Sequence, residues 1–340
     1  MIARRLEAAA TASRAGEWTG SAFGIRLQGD FPAPGLLEET VAPTRSADEN
    51  ARCCHLRLVS GAELDAAWPS GGSTLLGEVR DAQDRRILTI EAHPQAGYRL
   101  EASYYGRYLV TGDGRRVLCA PTAIAEWAWQ AFVIGQILPL LVVLHGMETL
   151  HGSAVAYGDE AIGLVAPSHG GKSSLAMNLV RHGAAFAADD VLALEPAGGS
   201  IALHPGPALA SVRHAEARAM GPEAVAGLGP VRGRDDHELR VAVATPRRRL
   251  RLAALYFLER AEQEPREPVT PMQVDPQLLL CSDLCSYLRE PTRLTRQLDR
   301  YSQLARTVPT FRAVMWPGID AHGLAGVIHE HAGPAIGSPA

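Results

Sequence analysis

The residues best suited to chemistry fall within about forty positions of one another. Ala166-Pro167-Ser168-His169-Gly170-Gly171-Lys172-Ser173 has the spacing G-x-x-x-x-G-K-[ST] of a loop that holds phosphates, with Ala166 in place of the first glycine. An apolar, strand-like run over 161–165 leads into it and a helix-forming run leads out. In that setting backbone N–H groups surround phosphate oxygens at a helix N-terminus. Lys172 reaches the outer phosphates and the Ser173 hydroxyl sits on Mg2+. Alanine is acceptable at the first position if the residue keeps ordinary dihedrals, since only a positive φ strictly favours glycine. The expected nucleotide contacts are Ser168, His169, Gly170, Gly171, Lys172, Ser173 and Ser174. Ser168 is a further donor to phosphate, and His169 either touches nucleotide or points to water. The competing reading is an ordinary strand–turn–helix connection.

Asp189-Asp190 closes a short buried strand over 184–188. An unpaired buried carboxylate is costly, so such a pair meets cations or hydrogen-bond donors. Strand alternation sends the two side chains in different directions. One then faces Mg2+ and the other the hydroxyl of an acceptor, the division that phosphoryl transfer asks for. A loop-capping Asp beside a solvated one is the plainer alternative. His151, in Leu150-His151-Gly152-Ser153, either binds phosphate or tunes Asp189, or is a structural histidine. Arg213, Arg232, Arg234 and the basic run from Arg247 to Arg251 are phosphate or acceptor clamps, ordinary surface charges, or a face for an acidic partner.

These residues need a sheet and a helix to hold them. At 340 residues the chain can bury a large core, in two domains or in one with an accessory lobe. Residues 1–20 read as a weak helix. Short strand-like runs follow, notably over 23–28, 55–59, 87–91, 98–103, 107–110 and 115–119, with Thr111-Gly112-Asp113-Gly114 as a hairpin turn. The expected organisation is a β-rich N-terminal lobe over 1–120, a P-loop domain over 121–332 and a disordered tail over 333–340. Thr122 is expected to cap a helix from Ala123, bent at Pro139. Residues 205–237 read as mobile or substrate-facing connections with one helix near 214–220. Helices over 276–288 and 291–305, a strand over 308–312 and a helix over 319–329 complete the chain.

Composition narrows the function. A net charge of −4 argues against a broad nucleic-acid footprint. Five cysteines in loose spacing form no ligand pattern and favour reduced thiols in a cytoplasmic setting. The N-terminal stretch has no apolar core of signal length. The run over 131–147 is at the short edge of a membrane span and contains Gln136 and Pro139, so it reads as a buried helix beneath a sheet rather than a membrane anchor.

Taken together, His151-Gly152, the loop at 166–173 and LVRHGAAFAADDVLAL at 179–194 resemble the kinase domain of HPr kinase/phosphorylase. They are similar, more distantly, to the P-loop of phosphoenolpyruvate carboxykinase. A looser resemblance, through 256–259 and 308–312, extends to HPr-kinase-like proteins found with peptide or natural-product biosynthesis. These include enzymes that phosphorylate the terminal serine of lasso-peptide precursors. The resemblance implies an α/β fold, an HPr-kinase-like P-loop domain with a mixed twisted sheet preceded by the β-rich lobe. It implies an ATP- and Mg2+-dependent kinase whose acceptor is a hydroxyl on a peptide, a small protein or a small metabolite. By that match Asp189 is the general base, His151 assists it, Asp190 serves magnesium or the water around it, and Gly171, Lys172 and Ser173 hold the nucleotide phosphates; the chemistry of phosphoryl transfer also has Lys172 stabilise the transferring group. The chain reads LHPGPALASVRH over 203–214 where HPr kinase/phosphorylases carry Glu-x-Arg-Gly, so HPr itself is not implied as acceptor. A homo-oligomer is compatible with the family. A nucleotide hydrolase or carboxykinase-like enzyme, and a non-catalytic nucleotide-sensing partner protein, are the rival readings.

Overall fold

The computed structural model describes residues 18–32, 35–38 and 52–333. The helix expected over 1–20 and the tail over 333–340 lie almost wholly outside them. The chain divides into two compact units, Met1–His145 and Gly146–Ala340.

The first unit carries one mixed sheet. Its strands are β1 (Trp18–Ala22), β2 (Ile25–Gly29), β3 (Leu37–Glu38), β4 (Cys53–Leu58), β5 (Thr74–Arg80), β6 (Arg86–His93), β7 (Gly97–Ala102), β8 (Gly106–Val110) and β9 (Arg116–Pro121). They lie in the order β3-β1-β2-β4-β9-β8-β7-β6-β5. The pairings β2–β4 and β4–β9 are parallel and the others antiparallel. Helix α1 (Gly61–Ala67) opens on a capping box between Ser60 and Glu63, which satisfies two otherwise orphaned donors.

The unit boundary falls at 145/146, not at 121. The apolar helical run joins the first unit because its aromatic side packs there. Phe132 stacks on Tyr105 and Tyr108 at 5.1 and 5.0 Å, and Trp129 meets Phe31 edge-on at 4.9 Å. The run comprises α2 (Glu126–Phe132), a π turn (Val133–Ile137) and α3 (Leu138–Leu144). Proline cannot donate to the residue four before it and its ring crowds that carbonyl. The wider turn just ahead of Pro139 relieves both, so the helix bulges rather than breaks. Among the described residues this is the one helix long and apolar enough to cross a membrane, and 67% of its apolar window is buried. Thr122 does not cap it. The Thr122 hydroxyl donates to the Tyr104 carbonyl instead, and the cap position falls to Ala125.

The second unit is built on β10 (Glu148–Tyr157), β11 (Glu160–Val165), β12 (Ala185–Ala188), β13 (Val191–Ala197), β14 (Ser200–His204), β18 (Leu250–Arg260), β19 (Val269–Pro271) and β20 (Thr310–Met315). The pairings run round a ring: β11–β10, β10–β13, β13–β14, β14–β18 and, in parallel, β18 back to β11. Strands β20 and β19 extend the sheet beyond β18, and β12 pairs with β10. Alternation along the strands divides the apolar residues between two cores. Ile162, Leu164, Tyr256 and Leu258 face α4 (Lys172–Arg181) and α9 (Ala321–Ala332) through Leu175, Leu179, Leu324 and Ile328. Leu150, Leu192, Leu252 and Phe257 gather on the other side with Leu279 of α7 (Pro276–Cys281) and Leu304 of α8 (Pro291–Thr307). Burial of side chains of this size contributes roughly 1.5–3 kcal/mol each.

Residues 205–237 are more ordered than their composition suggests. They form β15 (Leu209–Arg213), α5 (His214–Met220), α6 (Pro222–Leu228) and β16 (Val231–Arg234), and β17 (Glu238–Ala242) joins β15 and β16 into a separate three-stranded sheet. Ala210, Val212, Leu239 and Val241 pin that sheet to the α4 core. Conversely, the helix expected over 276–288 stops at Cys281. Buried Asp283 accepts from the Cys285 N–H and the Thr149 hydroxyl and pairs with Arg293 at 2.9 Å. A helix continuing through 283 would deny it those partners.

Gly152 sits where β10 crosses close to two neighbours. A Cβ there would lie 2.7 Å from the Leu164 carbonyl and 2.7 Å from a Leu192 methyl. Gly152→Ala should therefore destabilise the fold by about 1–3 kcal/mol, read as a lower urea midpoint at unchanged slope.

Candidate functional site

Strand register assembles the site. Strand β10 pairs His151 with Val191 on one side and Gly152 with Val165 on the other. The beginning of β10, the end of β11 and the turn between β12 and β13 are therefore brought side by side. Each contributes a polar group: His151, the loop after Val165, and Asp189-Asp190.

The loop runs from Ala166 into α4, whose first residue is Lys172. Gly171 has φ 93°, a left-handed conformation that favours glycine. Gly170 is constrained by space: a Cβ on it would lie 2.6 Å from the Ala166 methyl. The Pro167 carbonyl oxygen would lie 2.9 Å from it as well, so both the methyl at 166 and the loop backbone favour glycine at 170. His169 also has a positive φ, 65°, and its ring contacts the Arg213 guanidinium at the end of β15. Ser168 is exposed, and Ser174 lies half-buried in the first turn of the helix.

Lys172 is buried, with Nζ donating to the Ala166 and Pro167 carbonyls at 3.1 and 3.2 Å. Burial pulls its pKa down, while Asp190 and Asp189 oppose that and Arg213 adds to it. The ammonium is thus held on the loop's own backbone. The first N–H groups of an α-helix have no intrahelical partner, so the loop, the start of α4 and Lys172 form one positive end suited to phosphate oxygens.

The two aspartates diverge as alternation requires, and the turn sharpens the divergence because Asp190 has φ 64°. Asp189 points inward. Its Oδ1 accepts from Ser153 Oγ and Ser173 Oγ, both at 2.7 Å, and from the Asp190 N–H at 3.2 Å; its Oδ2 accepts from the Ser211 N–H at 3.1 Å. Crowding by protein and the charge of Asp190 push its pKa up to about 6, against the lowering effect of these hydrogen bonds. Asp190 points outward, its side chain 54% exposed, with Oδ1 at 3.8 Å from His151 Nε2. The surrounding protein tends to raise its pKa, but His151, Arg240 and Lys172 outweigh that and hold it below the usual carboxylate range.

The pairing differs from the one implied by resemblance. That match has His151 assist Asp189 and gives Asp190 to magnesium or the water around it. Here Ser173 meets Asp189 and His151 faces Asp190, because β10 places residue 151 beside the outer end of the turn and Ser153 beside the inner one. Arg232 and Arg234 lie exposed on β16, the edge of the three-stranded sheet away from β15. Three participants escape a reading of motifs. Ser153, fully buried in an apolar strand and two residues after His151, carries a signal in its period-two spacing. Arg240, which donates to the Ser211 hydroxyl and pairs with Glu238, sits in a strand with no motif. The Ser211 N–H is backbone and has no sequence signature.

Among the described residues no group of three or more His, Cys, Asp or Glu side chains could hold a metal ion. Magnesium needs fewer protein ligands, often one or two oxygens beside phosphates and waters. The Ser173 hydroxyl and the Asp189 carboxylate are such hard oxygen donors, in mutual contact at the foot of the loop, and fit that requirement.

The titration of Asp189 has a stability consequence. Its folded pKa of about 6 lies above the ordinary aspartate value, so between about pH 4 and 6 the folded state holds more protons than the unfolded one. Its contribution therefore makes stability fall as pH rises through that window. Urea unfolding without divalent cations should show Asp189→Asn losing this slope relative to wild type. The difference should be on the order of 1–3 kcal/mol across the window.

No family model matches this chain, and no curated protein does. Among solved structures it is similar to one described as the Hpr(Ser) kinase/phosphatase from Coxiella burnetii. The identity is 13%, the match covers 54% of this chain and 87% of that chain, and the TM-score is 0.31. At that overlap the likeness carries neither activity nor residue roles across.

Proposed function

We propose that this chain is an ATP- and Mg2+-dependent kinase that transfers a γ-phosphoryl group to a hydroxyl. The acceptor is a serine of a peptide or small protein, or a small metabolite. The observation that supports this most is the meeting of Ser173 with Asp189 at 2.7 Å beside buried Lys172, with the His151–Asp190 pair at 3.8 Å on the open side. A bare strand–turn–helix connection has no use for four ionisable groups converging on its loop.

In this reading the loop over 166–173 and the first turn of α4, with Ser168, His169, Gly170, Gly171, Lys172, Ser173 and Ser174, bind the nucleotide phosphates. Lys172 leaves its two loop carbonyls to meet developing charge on the transferring group. Ser173 and Asp189 would hold magnesium, which would supply charge neutralisation of the phosphates. The acceptor oxygen forms a bond to the γ-phosphorus as the bond to the bridging oxygen of ADP breaks, and the hydroxyl proton passes to a carboxylate of the pair. Positioning and electrostatics carry nearly all of such a reaction. A cytoplasmic setting, a possible homo-oligomer, and the absence of nucleic-acid and membrane partners belong to the same proposal.

The test combines purified protein, Mg2+ and γ-labelled ATP with the peptides and metabolites made by neighbouring genes, read by mass spectrometry for gain of one phosphoryl group. Lys172→Ala should lower the transfer rate at least about a hundredfold and weaken ATP binding. Phosphate release without any labelled acceptor would favour the hydrolase reading. ATP binding without turnover would favour the sensing module.

A further inference from the structure

Beside the phosphate loop and the carboxylates stands a small sheet whose two faces carry different residues. We infer that this sheet of β15, β17 and β16 is the wall against which the acceptor lies, and that it selects a peptide segment with acidic residues near the hydroxyl. Arg232 and Arg234 on its outer strand read those carboxylates. The inference rests on the kinase reading and names the class of acceptor within it.

Alternation gives the sheet its two sides. Ala210 and Val212 of β15 and Leu239 and Val241 of β17 turn into the core packed on α4. The residues between them face the other way. There Ser211 pairs with Arg240, and Arg213 with Glu238. These four make one polar patch: the Arg240 guanidinium donates to Ser211 Oγ and pairs with Glu238 at 2.5 Å.

That patch borders the site. The Ser211 N–H reaches Asp189, and Arg213 reaches His169 of the loop. Burial pushes the Glu238 carboxyl up, with Arg240 opposing and with Asp235 and Asp190 adding to it. Glu238, Arg240 and the open carboxylate Asp190 therefore share one electrostatic neighbourhood. A hydroxyl that approaches Asp190 has this face of the sheet alongside it.

Positive charge without an internal counter-charge lies one strand further out. β16 is the edge strand, and a bulge between Val231 and Gly233 makes Arg232 an extra residue in it. Bulges of this kind re-aim side chains beside active sites. Arg232 and Arg234 lie exposed there, without an ion pair among the described residues. The acids nearest in sequence are already committed or remote. Glu238 is taken by Arg240, and Asp235 accepts from the His237 and Glu238 N–H groups that close the hairpin. Asp236 is exposed at the hairpin tip.

Shape decides between a peptide and a small molecule. Small-molecule sites are concave and enclose most of their ligand. These arginines stand on an open rim, the arrangement by which arginine clusters recognise acidic motifs. Neighbouring strands lie about 4.8 Å apart, so β16 runs about 10 Å from β15. An extended peptide rises about 3.3 Å per residue, so carboxylates met by β16 belong about three residues from a hydroxyl held beside β15.

The test gives the full chain Mg2+, γ-labelled ATP and a library of serine peptides with Glu, Ala or Lys at each flanking position, together with a set of small hydroxy acids. Peptides with Glu about three residues from the serine should exceed their Lys counterparts in kcat/KM at least about tenfold. Arg232→Ala combined with Arg234→Ala should raise KM for the acidic peptide about three- to tenfold and keep kcat. Arg232→Glu combined with Arg234→Glu should turn the preference toward Lys peptides, a reversal that loss of structure cannot produce. Phosphorylated peptides without charge preference, or an unchanged KM in the double alanine variant, would overturn the inference and leave the kinase reading standing. The arginines would then only guard an edge strand. Transfer to small hydroxy acids alone would overturn it in the same way. Absence of transfer to every acceptor would overturn the kinase reading, and the inference with it. Circular dichroism of each variant checks that the fold is kept.

Discussion

Two negative charges on consecutive residues cannot comfortably share one low-dielectric site. The second unit resolves this by turning the chain between them. Asp189 ends a buried strand and is surrounded by four donors, whereas Asp190 adopts a left-handed backbone and leans out toward a histidine. A left-handed non-glycine residue costs of order 1 kcal/mol, least for aspartate and asparagine. That strain is small beside the repulsion it relieves. It converts a repeated residue into two distinct functional groups, one enclosed and one open.

Everything else in the site follows from holding that turn against a loop. Strand β10 does so by touching both: its early residues pair with β13 beyond the turn and its later residues pair with β11 before the loop. The three-stranded sheet of β15, β16 and β17 adds the Ser211 N–H from outside the main sheet, and Arg213 from its end reaches the loop histidine. Lys172 stays parked on the Ala166 and Pro167 carbonyls. The loop is thus braced at its base, along one flank and through its own lysine.

Much of this was legible in the residues themselves, and the limits have physical causes. The loop, the helix after it and the strand before it were legible because one short segment carries spacing, apolar run and helix start together. The mixed α/β class and the β-rich first unit followed from alternating runs and turn residues. Sequence alone does not assign the helical run to either unit, because it is apolar on most sides; its stacking on Tyr105 and Tyr108 places it with the first. Residues 205–237 read as loose because glycine, proline and arginine are frequent in them. Yet Ala210 and Val212 alternate there and, with Leu239 and Val241 of β17, dock a small sheet. The partnership of each aspartate was out of reach, since register is a long-range property and a one-residue slip exchanges the faces of a strand.

The ring of strand pairings has a consequence for how the chain acquires its shape. Strand β11, which delivers the loop, gains its second neighbour only from β18, about ninety residues further along. The β10–β11 hairpin is local and can form early; the parallel pairing that completes it is distant, and contacts of that kind form slowly because a long chain segment must be closed first. During synthesis, a ribosome that has delivered the loop, Lys172 and both aspartates has still not delivered the strand that fixes their platform. Until β18 arrives, β11 keeps one edge open. The platform of the loop is therefore complete only once β18 has been made, although the loop's own residues are among the first of that unit.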